Sequence, residues 1–254
     1  MKTSIKHRAA ALAVAVTLGV GISLQAQSIL NGGFELSTNG ANQQADRDTQ
    51  ANNWTSTLVP QSNYWAGVGM GSYSFLMASA SGIAPSYTDS PGTMTLWGPH
   101  NGVQNGLTDS PDGGNFWMTD AGWNTGKLEQ TVSGLTAGVT YTLSFWSAGA
   151  QQQGFSGATS TRWSVTFGGV TQTTSYLNIA SQGFSGWQHQ SMQFTASGSS
   201  ALLTFLADGS PSGLPPMALL DGVSLAPVPE PSSYAAVIGG LLAVAAVARR
   251  RASR

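Results

Sequence analysis

Six stretches of the chain carry a strand-like pattern. In Lys127–Val132, Leu128, Gln130 and Val132 fall on one face. In Val139–Gly149, Tyr141, Leu143 and Phe145 face one way, while Thr142, Ser144 and Trp146 face the other. Arg162–Phe167 sets Trp163, Val165 and Phe167 against Arg162, Ser164 and Thr166, and His189–Ala196 sets Gln190, Met192 and Phe194 against Ser191 and Gln193. A period of two is the signature of a half-buried β-strand. Ala201–Asp208 and Ala218–Leu225 are fuller apolar runs, as expected of strands covered on both sides. Turn-forming clusters separate them: Ser133–Gly138, Phe167–Gly169, Ala196–Ser200 and Asp208–Gly213. No stretch between the two ends holds a helical period for three turns. The pattern predicts an all-β protein, a β-sandwich of short strands.

The ends read differently. Lys2, Lys6 and Arg8 precede an apolar stretch from Ala9 to Leu24, with the small residue Ala26 after it. A positive start, a short apolar run and a small-residue exit describe a secretory signal peptide, residues 1–26. At the other end Pro229, Glu230 and Pro231 precede an apolar run, Tyr234–Ala248, and then Arg249, Arg250, Arg251 and Arg254. That run is short for a bilayer, which takes about 20 residues. Arginines directly after it would stay cytoplasmic. The sequence thus divides into a signal peptide (1–26), a β-sandwich domain (27–226) and a tail (227–254).

This division changes the picture of charge. The whole chain has a net charge of −1, but seven of its ten basic residues lie in the two end segments. Between them only Arg47, Lys127 and Arg162 face ten acidic residues, a net −7. Without a basic patch to displace phosphate counterions, nucleic acid is excluded as a partner. The chain has no cysteine, so an exported domain must be held by its core rather than by disulfides, and about 200 residues suffice for that. Eight tryptophans set the composition apart from that of a disordered chain.

The tail resembles the PEP-CTERM sorting signal in all three parts: the Pro229-Glu230-Pro231 triplet, the apolar helix, and the arginine cluster. The resemblance implies export by the Sec machinery, signal-peptidase cleavage, and a transient inner-membrane stage through a short C-terminal transmembrane helix. It also implies recognition by an exosortase that removes the tail, much as a GPI signal is removed. The destination implied is the cell surface, the outer membrane or an extracellular polysaccharide matrix. The alternative is a retained anchor.

A second resemblance covers most of the middle domain. The opening Ile29–Glu35 (ILNGGFE), the segment Leu128–Ala148, the stretch Pro111–Phe116 (PDGGNF) and the closing Leu219–Leu225 (LLDGVSL) are similar to the galactose-binding-like jelly rolls. Several carbohydrate-binding modules belong to that superfamily. The resemblance implies a jelly-roll β-sandwich flanked by the signal helix and the transmembrane helix. It further implies that the first and last strands lie together and share a structural calcium at Glu35 and Asp221, since hard cations take oxygen ligands. The alternative is that both carboxylates satisfy backbone groups at strand ends.

Catalytic motifs are absent. His100 and His189 stand far apart in sequence, and no nucleophile elbow, zinc motif or phosphate loop occurs. Asp109, Asp112 and Asp120 flank a glycine-rich loop, and paired carboxylates can cleave glycosides, but Asp109 and Asp112 beside Pro and Gly read as turn formers. The tryptophans point to binding instead, because indole faces stack on the C–H faces of sugar rings. Trp146 lies on the non-core face of its strand, and Trp117 alternates away from Phe116 and Met118. Trp65, Trp97 and Trp123 lie in Gly/Asn-rich loops. The sequence-level expectation is a non-catalytic surface or matrix protein that binds extracellular polysaccharide through these five tryptophans. A structural biofilm-matrix protein without a small ligand is the alternative, and a glycoside hydrolase stands third.

Overall fold

A computed structural model of the 254-residue chain describes residues 29–58, 72–87, 91–123, 125–229 and 249–250. The signal peptide, Trp65, Glu230, Pro231, the apolar run and Arg251 lie outside the described residues. No helix among the described residues is long and apolar enough to cross a membrane.

Among the described residues fourteen strands form, all paired antiparallel. They are β1 (Gln43–Gln44), β2 (Thr55–Leu58), β3 (Ser74–Met77), β4 (Ala84–Tyr87), β5 (Pro91–Met94), β6 (Phe116–Asp120) and β7 (Gly126–Ser133). Then come β8 (Thr140–Gln151), β9 (Thr159–Phe167), β10 (Val170–Thr173), β11 (Leu177–Ile179), β12 (Gln188–Thr195), β13 (Ser200–Ser210) and β14 (Pro216–Pro227). One sheet has the order β1-β3-β6-β14-β8-β12; the other has β10-β9-β13-β7-β2, with β11 also on β9. Strands β4 and β5 form a separate hairpin.

The alternations put the expected residues inside. Leu128 and Val132, Tyr141, Leu143 and Phe145, Trp163, Val165 and Phe167, and Met192 and Phe194 meet between the two sheets. Edge-to-face contacts of Phe205 with Phe145 (5.1 Å) and Trp163 (6.0 Å) tie both sheets together at the centre. The Trp163 indole donates to the Leu219 carbonyl across the core at 3.2 Å, which leaves no buried polar orphan on that ring.

Two expectations need correction. The first is that β13 is covered on both sides: Leu203 and Phe205 are buried, but Leu202 is 48% exposed, so β13 has a solvent face. The second concerns β6. Trp117 does point away from Phe116 and Met118, but it points into the central core, where it is 2% exposed and lies 6.3 Å from Phe34. It is not a ligand platform. The reversal has a physical cause. Phe75 and Met77 of β3, Phe116 and Met118 of β6, Met217 and Leu219 of β14, and Ala148 and Ala150 of β8 make a second apolar layer on the outer side of the first sheet. Ala80, Ala84, Met94, Leu96 and Leu107, from the connection between β3 and β6, cover that layer. Both faces of the sheet centre are therefore buried among the described residues.

Candidate functional site

Two places on the first sheet concentrate chemistry, one along β14 and one at the end of the sheet.

The first is where the chain's opening meets its last strand. The Val223 amide donates to the Gly32 carbonyl at 3.0 Å, and a Cβ on Gly32 would stand 2.0 Å from the Val223 carbonyl oxygen. Only glycine allows that approach. Pro111–Phe116 arrives at the same point. The Asn115 amide donates to Glu35 Oε1 (2.9 Å), its side-chain amide donates to the Phe34 carbonyl (3.1 Å), and Gly114 (φ +66°) leaves the room that the Glu35 carboxylate fills. Three of the four stretches that carry the jelly-roll resemblance thus meet in space.

Three carboxylates gather around Gly33. A Cβ placed there would be 3.0 Å from Asp112 Oδ2, 3.9 Å from Asp221 Oδ1 and 3.9 Å from Glu35 Cγ. Asp221 is wholly buried, and neither of its oxygens accepts a hydrogen bond of full geometry, although Ser110 and the Gly222 amide lie beside it. Burial pushes its pKa up to about 7, and the neighbouring Asp112 and Glu35 carboxylates push the same way. An orphaned buried carboxylate among oxygen donors is chemically suited to a hard cation. Among the described residues, however, no three acidic or imidazole groups form a closed ligand set. Glu35 and Asp221 are together, and Asp112, which its sequence context marks as a turn former, joins them. Trp146 packs over the same spot, with its Cδ1 3.1 Å from a Cβ placed on Gly222, and its half-buried ring meets exposed His189 edge-on at 4.9 Å.

The second place is a cavity of about 270 Å³ at the other end of β14. Four neighbouring strands end there. Tyr73 precedes β3, Asp120 closes β6, Gln152 follows β8, and Pro215 precedes β14. The strand ends are laced together: Asp120 N donates to Tyr73 O (2.9 Å) and Ala121 N to Pro216 O (3.0 Å). Tyr73, Trp123 and Phe155 supply aromatic walls, with the Tyr73 and Trp123 rings edge-on at 5.5 Å. Gln152 Nε2 donates to the Tyr73 hydroxyl (3.2 Å), while Gln152 Oε1 is buried without a donor. Asp120 Oδ1 accepts from the Gly122 amide at 2.8 Å, which shapes the turn into Trp123. Burial pushes the Asp120 pKa up to about 7, against the Gly122 and Trp123 amides that favour its ionised form. An apolar concavity with a few convergent polar groups and a perturbed carboxyl is the usual form of a small-ligand site.

The candidate tryptophans therefore separate. Trp123 lines the cavity. Trp97 is half-buried and anchors the wall, its indole donating to the Phe155 carbonyl at 2.7 Å. Trp146 sits by the carboxylates, Trp117 is core, and Trp65 lies outside the described residues. Tyr73, Gln152 and Phe155 were missed by sequence reasoning. They lie at strand ends separated by up to about 80 residues, and no local pattern marks them. Asp109 accepts from the Ala80 amide at 2.6 Å and fastens the covering segment.

No family model and no curated protein matches the chain. Solved structures do. The carbohydrate-binding module TmCBM61, solved with beta-1,4-galactotriose, is 13% identical and aligns over 80% of this chain and 99% of its own, with a TM-score of 0.41. A CBM4 structure is 16% identical over 78% of this chain and 98% of its own, at 0.34. The enzymatically active domain of bacteriophage CBA120 tailspike protein 4 is 10% identical over 80% of this chain and 21% of its own, at 0.40. The structural neighbours thus include carbohydrate-binding modules of comparable size. With TM-scores below 0.5, none of them assigns this chain a ligand.

Proposed function

We propose that this protein is an exported, non-catalytic β-sandwich that binds glycan through the cavity at the end of its first sheet. The observation that carries the reading is the aromatic lining of that cavity by Tyr73, Trp123 and Phe155, with Asp120 and Gln152 beside them. Rigid aromatic faces offer contact area to sugar C–H groups at small entropic cost, and a few polar groups orient the hydroxyls. At about 270 Å³ the cavity falls just below the range for drug-sized ligands, so it suits one sugar ring at a chain end or branch rather than a polymer laid along a groove.

A non-catalytic role is supported by the distance between Asp112 and Asp120, two of the carboxylates that flank the glycine-rich loop. Asp112 packs over Gly222, while Asp120 pairs with Met217, five residues away along β14. At about 3.3 Å per residue that is roughly 17 Å, beyond the 6.5–9.5 Å of inverting glycosidases.

A structural calcium ion between the opening segment and the last strand would be held by Glu35 and Asp221, whose carboxylate oxygens suit a hard cation. The ion would supply positive charge against the buried Asp221 carboxylate. The chain's own part is to bring the oxygens together through Gly33 and to shield Asp221 from water. Delivery follows from the end segments: signal peptide, exosortase recognition of the Pro229–Arg251 tail, and release to the cell surface or polysaccharide matrix.

A glycan array with purified protein and with Trp123→Ala tests the binding role. Retention of glycans that Trp123→Ala loses is the expected result, and no retention by either protein overturns it. Intact mass of protein recovered from the medium tests the sorting; a mass that still includes the tail overturns it.

A further inference from the structure

The polar groups of the end cavity are unevenly chosen. Asp120 brings a carboxyl group, Gln152 Oε1 is a buried acceptor with no donor, and the exposed Ser212 adds a hydroxyl. Among the described residues lining the cavity there is no lysine, arginine or histidine. Three aromatic rings, Tyr73, Trp123 and Phe155, complete the walls. Acceptors, a carboxyl that a nearby cation would hold ionised, and π-faces together favour a cation that carries several N–H donors. The surroundings agree, since residues 27–228 have a net charge of −7 and draw cations toward the domain.

We infer that the sugar ring taken by this cavity bears a protonated amine, so that the ligand is an amine-bearing glycan unit rather than an N-acetylated or acidic one. This rests on the glycan-binding reading above and names the chemistry of its ligand. An ammonium offers three donors, enough for the Asp120 carboxylate and for Gln152 Oε1, while its charge lies against the Trp123 and Tyr73 rings. An N-acetyl group has a single N–H and adds a carbonyl acceptor where acceptors already stand. A uronate places a second carboxylate beside Asp120.

The experiment is a calorimetric titration of the full chain near neutral pH with oligosaccharides of matched length. The probes are a glucosamine oligomer, its N-acetylated counterpart, a glucose oligomer and a uronate oligomer. The expected result is that the amine form binds roughly tenfold or more tighter than the acetylated form, and that high salt erodes the difference. Asp120→Asn should bring the two forms close to equal while keeping an oxygen for the Gly122 amide. Trp123→Ala should lose every sugar. Melting curves show whether each variant is folded; if Asp120→Asn is not, the salt dependence of the wild-type preference decides. Binding without preference for the amine, but lost in Trp123→Ala, overturns this inference and leaves the glycan reading standing. No binding of any oligomer by folded wild-type protein overturns both.

Discussion

The two sites on the first sheet are built from opposite kinds of sequence information. The carboxylate cluster joins stretches that stand out along the chain: Asn31–Glu35, Pro111–Phe116 and Leu219–Leu225. Their glycines are forced by close approaches, as at Gly32 and Gly114, and such constraints leave a visible mark in sequence. The end cavity is assembled from single residues just beyond the ends of four strands, each embedded in ordinary loop sequence. Its parts become a site only when the antiparallel order β3-β6-β14-β8 brings those ends side by side. One region is a joint and the other a receptacle, and substitutions should separate them.

Trp117→Ala should have the largest effect. It empties a buried indole between Phe34 and the strands of the central core, and should cost about 3–5 kcal/mol of stability, read as a lowered denaturation midpoint. If that variant keeps wild-type stability, the burial of both faces of β6 is wrong.

Next is the joint. Gly32→Val places a side chain against the Val223 carbonyl and should cost about 3 kcal/mol while leaving the end cavity's ligand preference unchanged in folded protein. Addition of calcium should raise the melting temperature of wild-type protein. Chelator should abolish the rise, and Asp221→Asn should remove the response altogether.

The pH dependence joins both regions. Asp120 and Asp221 each titrate near 7 in the folded protein against an ordinary 3.8, because burial disfavours their charged forms. The native state therefore binds more protons than the unfolded chain between about pH 4 and 7. In chelator, stability should fall as pH rises through that window and level off above it. Calcium should cancel the part due to Asp221, and Asp120→Asn the other part. A melting temperature that rises from pH 4 to 7 in chelator would contradict the burial of these carboxyls.

The smallest stability effect belongs to the receptacle. Trp123→Ala, at a half-buried wall, should cost about 1 kcal/mol of stability while abolishing ligand capture. Trp146→Ala should leave capture intact, since Trp146 stands by Gly222, roughly 20 Å along β14 from Pro215.

What was legible in the sequence follows the same division. The alternations of β7, β8, β9 and β12 identified their buried faces because one side of each strand meets the opposite sheet. Trp117 misled for the converse reason. Its strand is buried on both sides, so alternation told which residues share a face but not which face is wet. The segment that covers β6, with Ala80, Ala84, Met94, Leu96 and Leu107 spaced irregularly, has no period from which a covering role can be read. Glu35 and Asp221 were found from motifs. Asp112 was hidden because an aspartate before Gly-Gly is an ordinary turn former, and its placement over Gly33 and Gly222 depends on tertiary contact.

The most direct test is protein-observed NMR during titration with the glycan that the array selects. Saturable shifts at Tyr73, Trp123, Gln152 and Phe155, with Trp146 and His189 unmoved, are the predicted result. Shifts centred on Trp146 and His189, with the end cavity silent, would contradict the assignment of the binding site.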